Sequence, residues 1–159
     1  MRIFIKHSSD TSKKISQRFK KILDEEIRFG LNKITIYKNF QKNVENIKET
    51  FLKFLKTNNI KKQKLCAYGA AAKGNTFFNY CGINSNDISF IVDKNPFKVG
   101  KYLPGSKIIV KDEKFLIKNK PNYILIVPWN LKNEIIKQLS YAKQWKVKFI
   151  TAIPNIKIY

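Results

Sequence analysis

The sequence predicts an α/β protein with a Rossmann-like, mostly parallel sheet that is flanked by helices and preceded by two N-terminal helices. Three observations predict this fold. Short apolar runs without alternation, such as KLCAY (64–68), are typical of strands buried on both faces. Helical patterns separate these runs, and such alternation makes a parallel sheet with right-handed crossovers. Before residue 60 the apolar residues follow the helical period instead, which indicates two helices.

The composition permits a folded domain with a core. The chain has 159 residues, and 43% of them are hydrophobic. No apolar run approaches the roughly 20 residues of a spanning helix, and the first residues lack the apolar centre of a signal peptide. We therefore expect a cytoplasmic protein that has no membrane partner. Cys66 and Cys81 lie in apolar surroundings without metal-ligand spacing, which predicts buried free thiols and no metal site.

The net charge of +21 makes a nucleic-acid-binding protein one alternative, because basic chains attract polyanions. However, the basic residues are spread along the whole chain, and only Arg2, Arg18 and Arg28 of the 32 are arginines. Specific nucleic-acid readers use arginine forks and recognisable motifs, and this sequence shows none. A cationic surface that accepts anionic ligands is the favoured interpretation.

The first 60 residues predict a short strand and two helices. Residues 2–6 alternate as a strand does, and Thr11 or Asp10 is expected to cap a first helix that ends before Gly30. The apolar positions of this helix are Ile15, Phe19, Ile22 and Leu23. A second helix is expected to pack on the rest of the protein through one apolar seam. The seam consists of Phe40, Val44, Ile47, Phe51 and Phe54.

From residue 64 onward the chain alternates between strands and helices. Strands are predicted at 64–68, 88–92, 107–110, 122–128 and 148–153. Helices are predicted at 71–81 and 131–143. The run at 122–128 is the most apolar, so we expect it near the centre of the sheet.

Three strand-end loops are expected to meet at one edge of the sheet, because ligands of open parallel sheets bind outside the carboxyl ends of the strands. These loops read GAAAKGNT (69–76), DKNP (93–96) and PWN (128–130). The candidate ligand-binding residues in them are Gly69, Lys73, Gly74, Asn75, Thr76, Asp93, Trp129 and Asn130.

The first loop partly matches the dinucleotide fingerprint G-x-G-x-x-G. Gly69 and Gly74 match its outer glycines, but Ala71 stands where a pyrophosphate approaches the backbone. Asp93 follows Gly74 by 19 residues, where NAD-binding domains place a ribose-binding acid. Lys73 opposes the dipole of the helix and indicates an anion that compensates it. Plain packing of small residues, and an NAD-binding oxidoreductase domain, remain alternatives.

A long loop, NPFKVGKYLPGSKI (95–108), is able to cover a ligand at this edge. Pro104 and Gly105 fit the central positions of a type II turn. Lys98 and Tyr102 from this loop complete the candidate site. No catalytic constellation emerges, so we expect binding of a nucleotide or phosphate ligand and no catalytic residues.

Three motifs in the same order resemble the C-terminal domain of the sugar C-methyltransferases, which act on nucleotide-linked deoxy keto-sugars. The motifs are YGAAAKGNTFFNYCGI (68–83), FIVDKNPFKVGKYLPGSKI (90–108) and PNYILIVPWNLKNEI (121–135). In that family a zinc-binding domain and an S-adenosylmethionine-binding methyltransferase domain precede this one. The resemblance implies that residues 1–60 are the last methyltransferase-domain strand with a helical connector, and residues 61–159 the Rossmann-like domain.

The resemblance also implies that the site holds a nucleotide-diphosphate deoxysugar. The chain has neither a methyl-donor loop nor zinc cysteines, so we expect no methyl transfer from it alone. S-adenosylmethionine would then belong to a domain outside this sequence. A separate methyltransferase subunit or self-association is the expected partner, and a split enzyme, a gene remnant and a free-standing binding domain all remain open.

Overall fold

A computed structural model of the protein describes residues 4–57 and 64–159. The chain forms two compact units, the first ending at Asn43 and the second beginning at Val44. Helix α2, Ile34–Thr57, contributes residues to both units. The expected boundary at residue 60 lies outside the described residues.

The first unit contains helix α1, Gln17–Phe29. Gly30 ends it in the left-handed conformation, with φ of 90°, as the sequence predicts. The predicted cap is wrong, because the Ser16 hydroxyl accepts from the N–H of Phe19 and the helix begins there. The Asp10 carboxylate accepts from the N–H of Ser12 instead, in a local turn.

The predicted strand at 2–6 is not formed in its described part. Residues 4–6 are exposed and have no strand partner, while residues 2 and 3 lie outside the described residues. A short alternating segment is stable as a strand only when a neighbouring strand satisfies its backbone.

The predicted seam of α2 is confirmed at one of its two ends. Phe51 is 1% exposed and packs against Phe77, with ring centroids 5.1 Å apart and ring planes tilted by 45°. Phe40 is 65% exposed. The end of α2 that lies in the second unit therefore belongs to a core, whereas Phe40 presents an apolar ring to solvent.

The second unit is built on a six-stranded sheet with the order β3-β2-β1-β4-β5-β6. The first five strands are parallel to their neighbours, and β6 runs antiparallel to β5. The strands are β1 Leu65–Tyr68, β2 Ile91–Val92, β3 Val110–Lys111, β4 Tyr123–Ile126, β5 Lys148–Thr151 and β6 Lys157–Ile158. The predicted mostly parallel sheet is thus confirmed, with β1 and β4 at its centre.

Helices cover both faces of this sheet. They are α3 Ala72–Cys81, α4 Glu113–Asn119 and α5 Lys132–Gln138. Alternate residues of β1 face opposite cores: Ala67 packs with Phe78 of α3, and Cys66 packs with Leu116 of α4. Both faces of the strand are therefore apolar, which explains why its sequence does not alternate.

The structure differs from the sequence prediction mainly at the periphery of the sheet. Strands β2 and β3 pair over two residues each, shorter than expected. The predicted helix at 131–143 is divided into α5 and short 3-10 turns at 129–131 and 140–145. Helix α4 and strand β6 were not predicted, because neither is long enough to show a hydrophobic period.

No helix in residues 4–57 and 64–159 combines the length and the apolar content that crossing a membrane requires.

Candidate functional site

The three predicted loops follow the neighbouring strands β2, β1 and β4 at the carboxyl edge of the sheet. From β1 the chain proceeds to β2 and β3 on one side and returns to β4 on the other. This reversal of strand order leaves a crevice beyond β1 and β4, which is where open α/β sheets bind ligands.

Gly69 brings the loop after β1 against the loop after β4. Its φ is 90°, and a Cβ added to it would lie 2.5 Å from Cγ of Pro128. Its N–H donates to the carbonyl of Val92 at the end of β2, with an N···O distance of 2.7 Å. Glycine is therefore required here both for the left-handed backbone and for the close approach of the proline ring.

Gly74 serves the packing of α3 on the sheet. It is buried, and a Cβ at this position would lie 1.9 Å from Cγ1 of Val127. This is the role of the last glycine in the dinucleotide fingerprint, which permits close helix–strand contact. Part of the small-residue pattern in this loop is thus explained by packing.

The start of α3 leaves two backbone donors free. Its N-cap, Ala71, provides no side-chain acceptor, and the carbonyl of Ala71 accepts from the N–H groups of Gly74 and Asn75. Within the described residues, the N–H groups of Ala72 and Lys73 donate to no acceptor. A helix start with free N–H groups and the positive end of the helix dipole is suited to an anion.

Asp93 and Lys98 hold the loop after β1 in place. The Asp93 carboxylate accepts from the N–H of Ala70 at 2.8 Å, the N–H of Asn95 at 2.8 Å and Nζ of Lys98 at 3.2 Å. Nζ of Lys98 also donates to the carbonyl of Ala70 at 2.8 Å. Both carboxylate oxygens of Asp93 therefore have protein donors, unlike an acid held ready for the ribose hydroxyls of NAD.

Lys73, Trp129 and Asn130 form a second cluster on the β4 side. The Lys73 ammonium lies 4.3 Å from the centroid of the Trp129 ring and donates a hydrogen bond to Oδ1 of Asn130. The ring face and the amide oxygen both favour a cation at this point. The cluster keeps the Lys73 charge beside the start of α3 without neutralising it by a carboxylate.

The remaining candidate residues belong neither to the Asp93–Lys98 pair nor to the cluster around Lys73. Thr76 donates its hydroxyl to the carbonyl of Ala72 within α3, at 3.3 Å. Oδ1 of Asn75 is buried without a hydrogen-bond partner in the described residues. Tyr102 is 63% exposed and pairs through its backbone with Ile109. Gly105 has the positive φ of 77° expected in the predicted turn, but the N–H of Ser106 donates to the carbonyl of Pro104 at 3.0 Å and not to that of Leu103, as it would in a hydrogen-bonded type II turn.

A group of polar side chains on the face of the sheet that α4 and α5 cover was not predicted. The Tyr68 hydroxyl donates to Oε1 of Glu113 at 2.6 Å and accepts from Nε2 of Gln138 at 2.8 Å. Burial, and next the hydrogen bond to Glu113, raise the pKa of Tyr68. The group joins the end of β1 to α4 and α5, and it could not be predicted because α4 was not recognised in the sequence.

The two cysteines are buried free thiols, as predicted. Burial raises the pKa of the Cys66 thiol and raises that of Cys81 to about 11. Both thiols are therefore protonated at neutral pH and are poor nucleophiles. In the first unit, His7 Nδ1 lies 2.6 Å from the Ser9 hydroxyl, but both residues are exposed.

Comparison with known proteins identifies a family and a related enzyme. The sequence model of the family described as C-methyltransferase C-terminal domain matches residues 1–154. The C-methyltransferase NovU of Streptomyces niveus is 27% identical over 137 residues, which are 86% of this chain and 33% of NovU. The chain thus spans about a third of the length of this curated relative.

Proposed function

The chain belongs to the family of C-methyltransferase C-terminal domains, and from this premise we propose that it is the substrate-binding part of a sugar C-methyltransferase. Its ligand is a nucleotide-diphosphate deoxysugar, held at the carboxyl edge of β1, β2 and β4. The observation that carries the proposal is the start of α3, where free N–H groups of Ala72 and Lys73 stand beside an ammonium group without a carboxylate partner.

Electrostatics favour a doubly charged diphosphate at this position. A lysine in the first turn of a helix is repelled by the positive end of the dipole, by up to about 1 kcal/mol at an exposed site. An anion that accepts from the free N–H groups removes this repulsion and gains charge-assisted hydrogen bonds. The Lys73 ammonium, held by Trp129 and Asn130, adds positive charge to this side of the site.

The Asp93–Lys98 pair supports binding indirectly in this proposal. It fixes the loop after β1 through the backbone of Ala70, so the anion meets a loop that is already ordered. Lys98 balances the Asp93 carboxylate, which would otherwise repel a phosphate.

Methyl transfer requires groups that this site does not supply. In this proposal S-adenosylmethionine is bound by a separate domain, in the same polypeptide or in another subunit, and this chain alone transfers no methyl group. The substrate-binding domain orients the sugar relative to the methyl donor. Holding two reactants in the right geometry accounts for a large part of the rate enhancement of a bimolecular reaction.

The exposed apolar side chains of the first unit are a candidate surface for that domain. Those on or beside α1 are Phe19, Ile22, Leu23, Ile27, Phe29 and Leu31, which are 39–70% exposed. A face of this size is uncommon on a monomer and usually marks an interaction site. In the absence of a methyl-donor domain, we expect two copies of this chain to cover it.

Self-association of the isolated chain is therefore expected, and multi-angle light scattering tests it. Leu23→Glu should convert a dimer into a monomer, because a carboxylate would be buried in the apolar contact. Lys21→Glu places the same group on the opposite side of α1 and should leave the dimer intact. A monomeric wild-type chain would contradict the expectation.

Ligand binding is expected to depend on Lys73. Lys73→Ala should weaken the binding of a thymidine-diphosphate sugar about tenfold in calorimetry, which corresponds to roughly 1.4 kcal/mol. Lys118→Ala is the control. Lys118 is an exposed lysine in the last turn of α4, and its replacement removes the same charge as Lys73→Ala does. Equal affinity of the Lys73→Ala variant would reject the site, and thermal stabilisation by NAD alone would favour the oxidoreductase alternative.

A further inference from the structure

Phe97 is an apolar side chain at the carboxyl edge that packing does not explain. It lies in the loop after β2, five residues beyond the end of the strand, and it is 80% exposed. A single exposed apolar side chain is common on protein surfaces and by itself indicates nothing. The loop that carries Phe97, however, is held at several points.

The backbone on both sides of Phe97 is fixed by hydrogen bonds. The N–H of Asn95 donates to Oδ1 of Asp93, and the N–H of Phe97 donates to Oδ1 of Asn95 at 2.9 Å. The N–H of Lys98 donates to the carbonyl of Asn95 at 3.0 Å, and its Nζ donates to the carbonyl of Ala70. The Phe97 ring is thus presented to solvent by an ordered segment that is tied to the phosphate loop.

The edge of the sheet has an aromatic residue on each side of the start of α3, but the two sides differ chemically. On the β4 side the Trp129 face is occupied by the Lys73 ammonium, with the Asn130 amide beside it. On the β2 side the Phe97 ring has no aromatic or cationic group against it in the described residues. The first side is suited to hydroxyl and keto oxygens, and the second to a flat, uncharged ring.

We propose that the nucleotide-sugar lies across the edge in one orientation, with its base stacked on Phe97 and its sugar beside Trp129 and Asn130. This orientation rests on the proposed function and specifies it further. The diphosphate at the start of α3 links the two halves of the ligand, and in Rossmann-type sheets the nucleoside extends from that point toward the end of the second strand. Phe97 then determines affinity for the nucleoside half, and Asn130 for the sugar half.

Calorimetry with three probes tests the orientation: inorganic pyrophosphate, thymidine diphosphate and thymidine-diphosphate glucose. Phe97→Ala should weaken both nucleotides about tenfold and leave pyrophosphate unchanged, because base–aromatic stacking contributes on this scale. Phe97→Tyr should restore the nucleotide affinities to within about twofold. Asn130→Ala should weaken thymidine-diphosphate glucose more than thymidine diphosphate, because the lost hydrogen bond to Lys73 affects both ligands and the lost contact with the sugar affects only the first.

The controls separate this inference from the proposed function. Phe40→Ala removes a ring that is 65% exposed in the first unit and lies outside the proposed dimer surface, and it should change no affinity. If the wild type binds both nucleotides but Phe97→Ala binds them equally well, the orientation is wrong and the proposed function stands. If the wild type binds neither nucleotide, both proposals are rejected.

Discussion

Replacing Phe51 by alanine is expected to lower the free energy of unfolding by about 3–5 kcal/mol, the range found for large aromatic residues truncated in cores. The ring is 1% exposed, contacts the Phe77 ring at a tilt of 45° and belongs to the core between α2, α3 and the sheet. Its removal would leave a cavity that the surrounding strands and helices fill only partly.

Urea denaturation followed by tryptophan fluorescence measures this loss. Both tryptophans, Trp129 and Trp145, lie in the second unit, so the signal reports the unit that contains Phe51. Phe40→Ala is the matched control, because the same residue type in the same seam is 65% exposed there. It should change stability by less than about 0.5 kcal/mol. If Phe51→Ala lost no more stability than about 0.5 kcal/mol, as expected for Phe40→Ala, the core would not depend on the Phe51 end of α2.

Gly69→Ala is expected to destabilise the protein by about 2–5 kcal/mol. The left-handed backbone at φ 90° costs a residue with a Cβ roughly 1–2 kcal/mol. The new Cβ would also lie 2.5 and 2.6 Å from Cγ and Cδ of the Pro128 ring, and such overpacking costs about 1–3 kcal/mol. The loop after β1 would have to move away from the loop after β4.

Gly82→Ala separates the two contributions. Gly82 has a φ of 73° and nothing within 4 Å of an added Cβ, so only the backbone cost of about 1–2 kcal/mol applies. The same urea titration should therefore rank Gly69→Ala as the less stable variant. Equal losses of stability in the two variants would show that the Pro128 ring moves aside at no cost. The close contact between the two loops would then not require glycine at position 69.

The central parts of the fold were predictable because their signals are local. The apolar runs of β1, β4 and β5 and the Phe51 end of the α2 seam indicate burial, because hydrophobic periodicity follows which side chains are buried. Gly30 was assigned correctly because a positive φ leaves few alternatives to glycine. The three loops could be placed at one edge because each follows a parallel strand, and the carboxyl ends of parallel strands lie at the same edge of a sheet.

The parts that were missed depend on contacts that no sequence pattern reveals. Ser16 caps α1, although Asp10 and Thr11 are also residue types that cap helices, so the sequence offers more than one possible start. Asp93 was predicted from its place after β2 to shape the ligand site, and this stays a prediction. Its carboxylate accepts from the N–H of Ala70, 23 residues away, which the sequence does not indicate.

The hydrogen bonds that Asp93 and Lys98 make to the backbone of Ala70 also affect the thermodynamics of recognition. Because they order the loop after β1 in the free protein, its conformational entropy is lost during folding. Binding of the proposed diphosphate would not have to supply that entropy a second time, so more of the interaction would appear as affinity. In this proposal the cost of ordering the loop is met during folding, and the ligand would meet a preorganised loop.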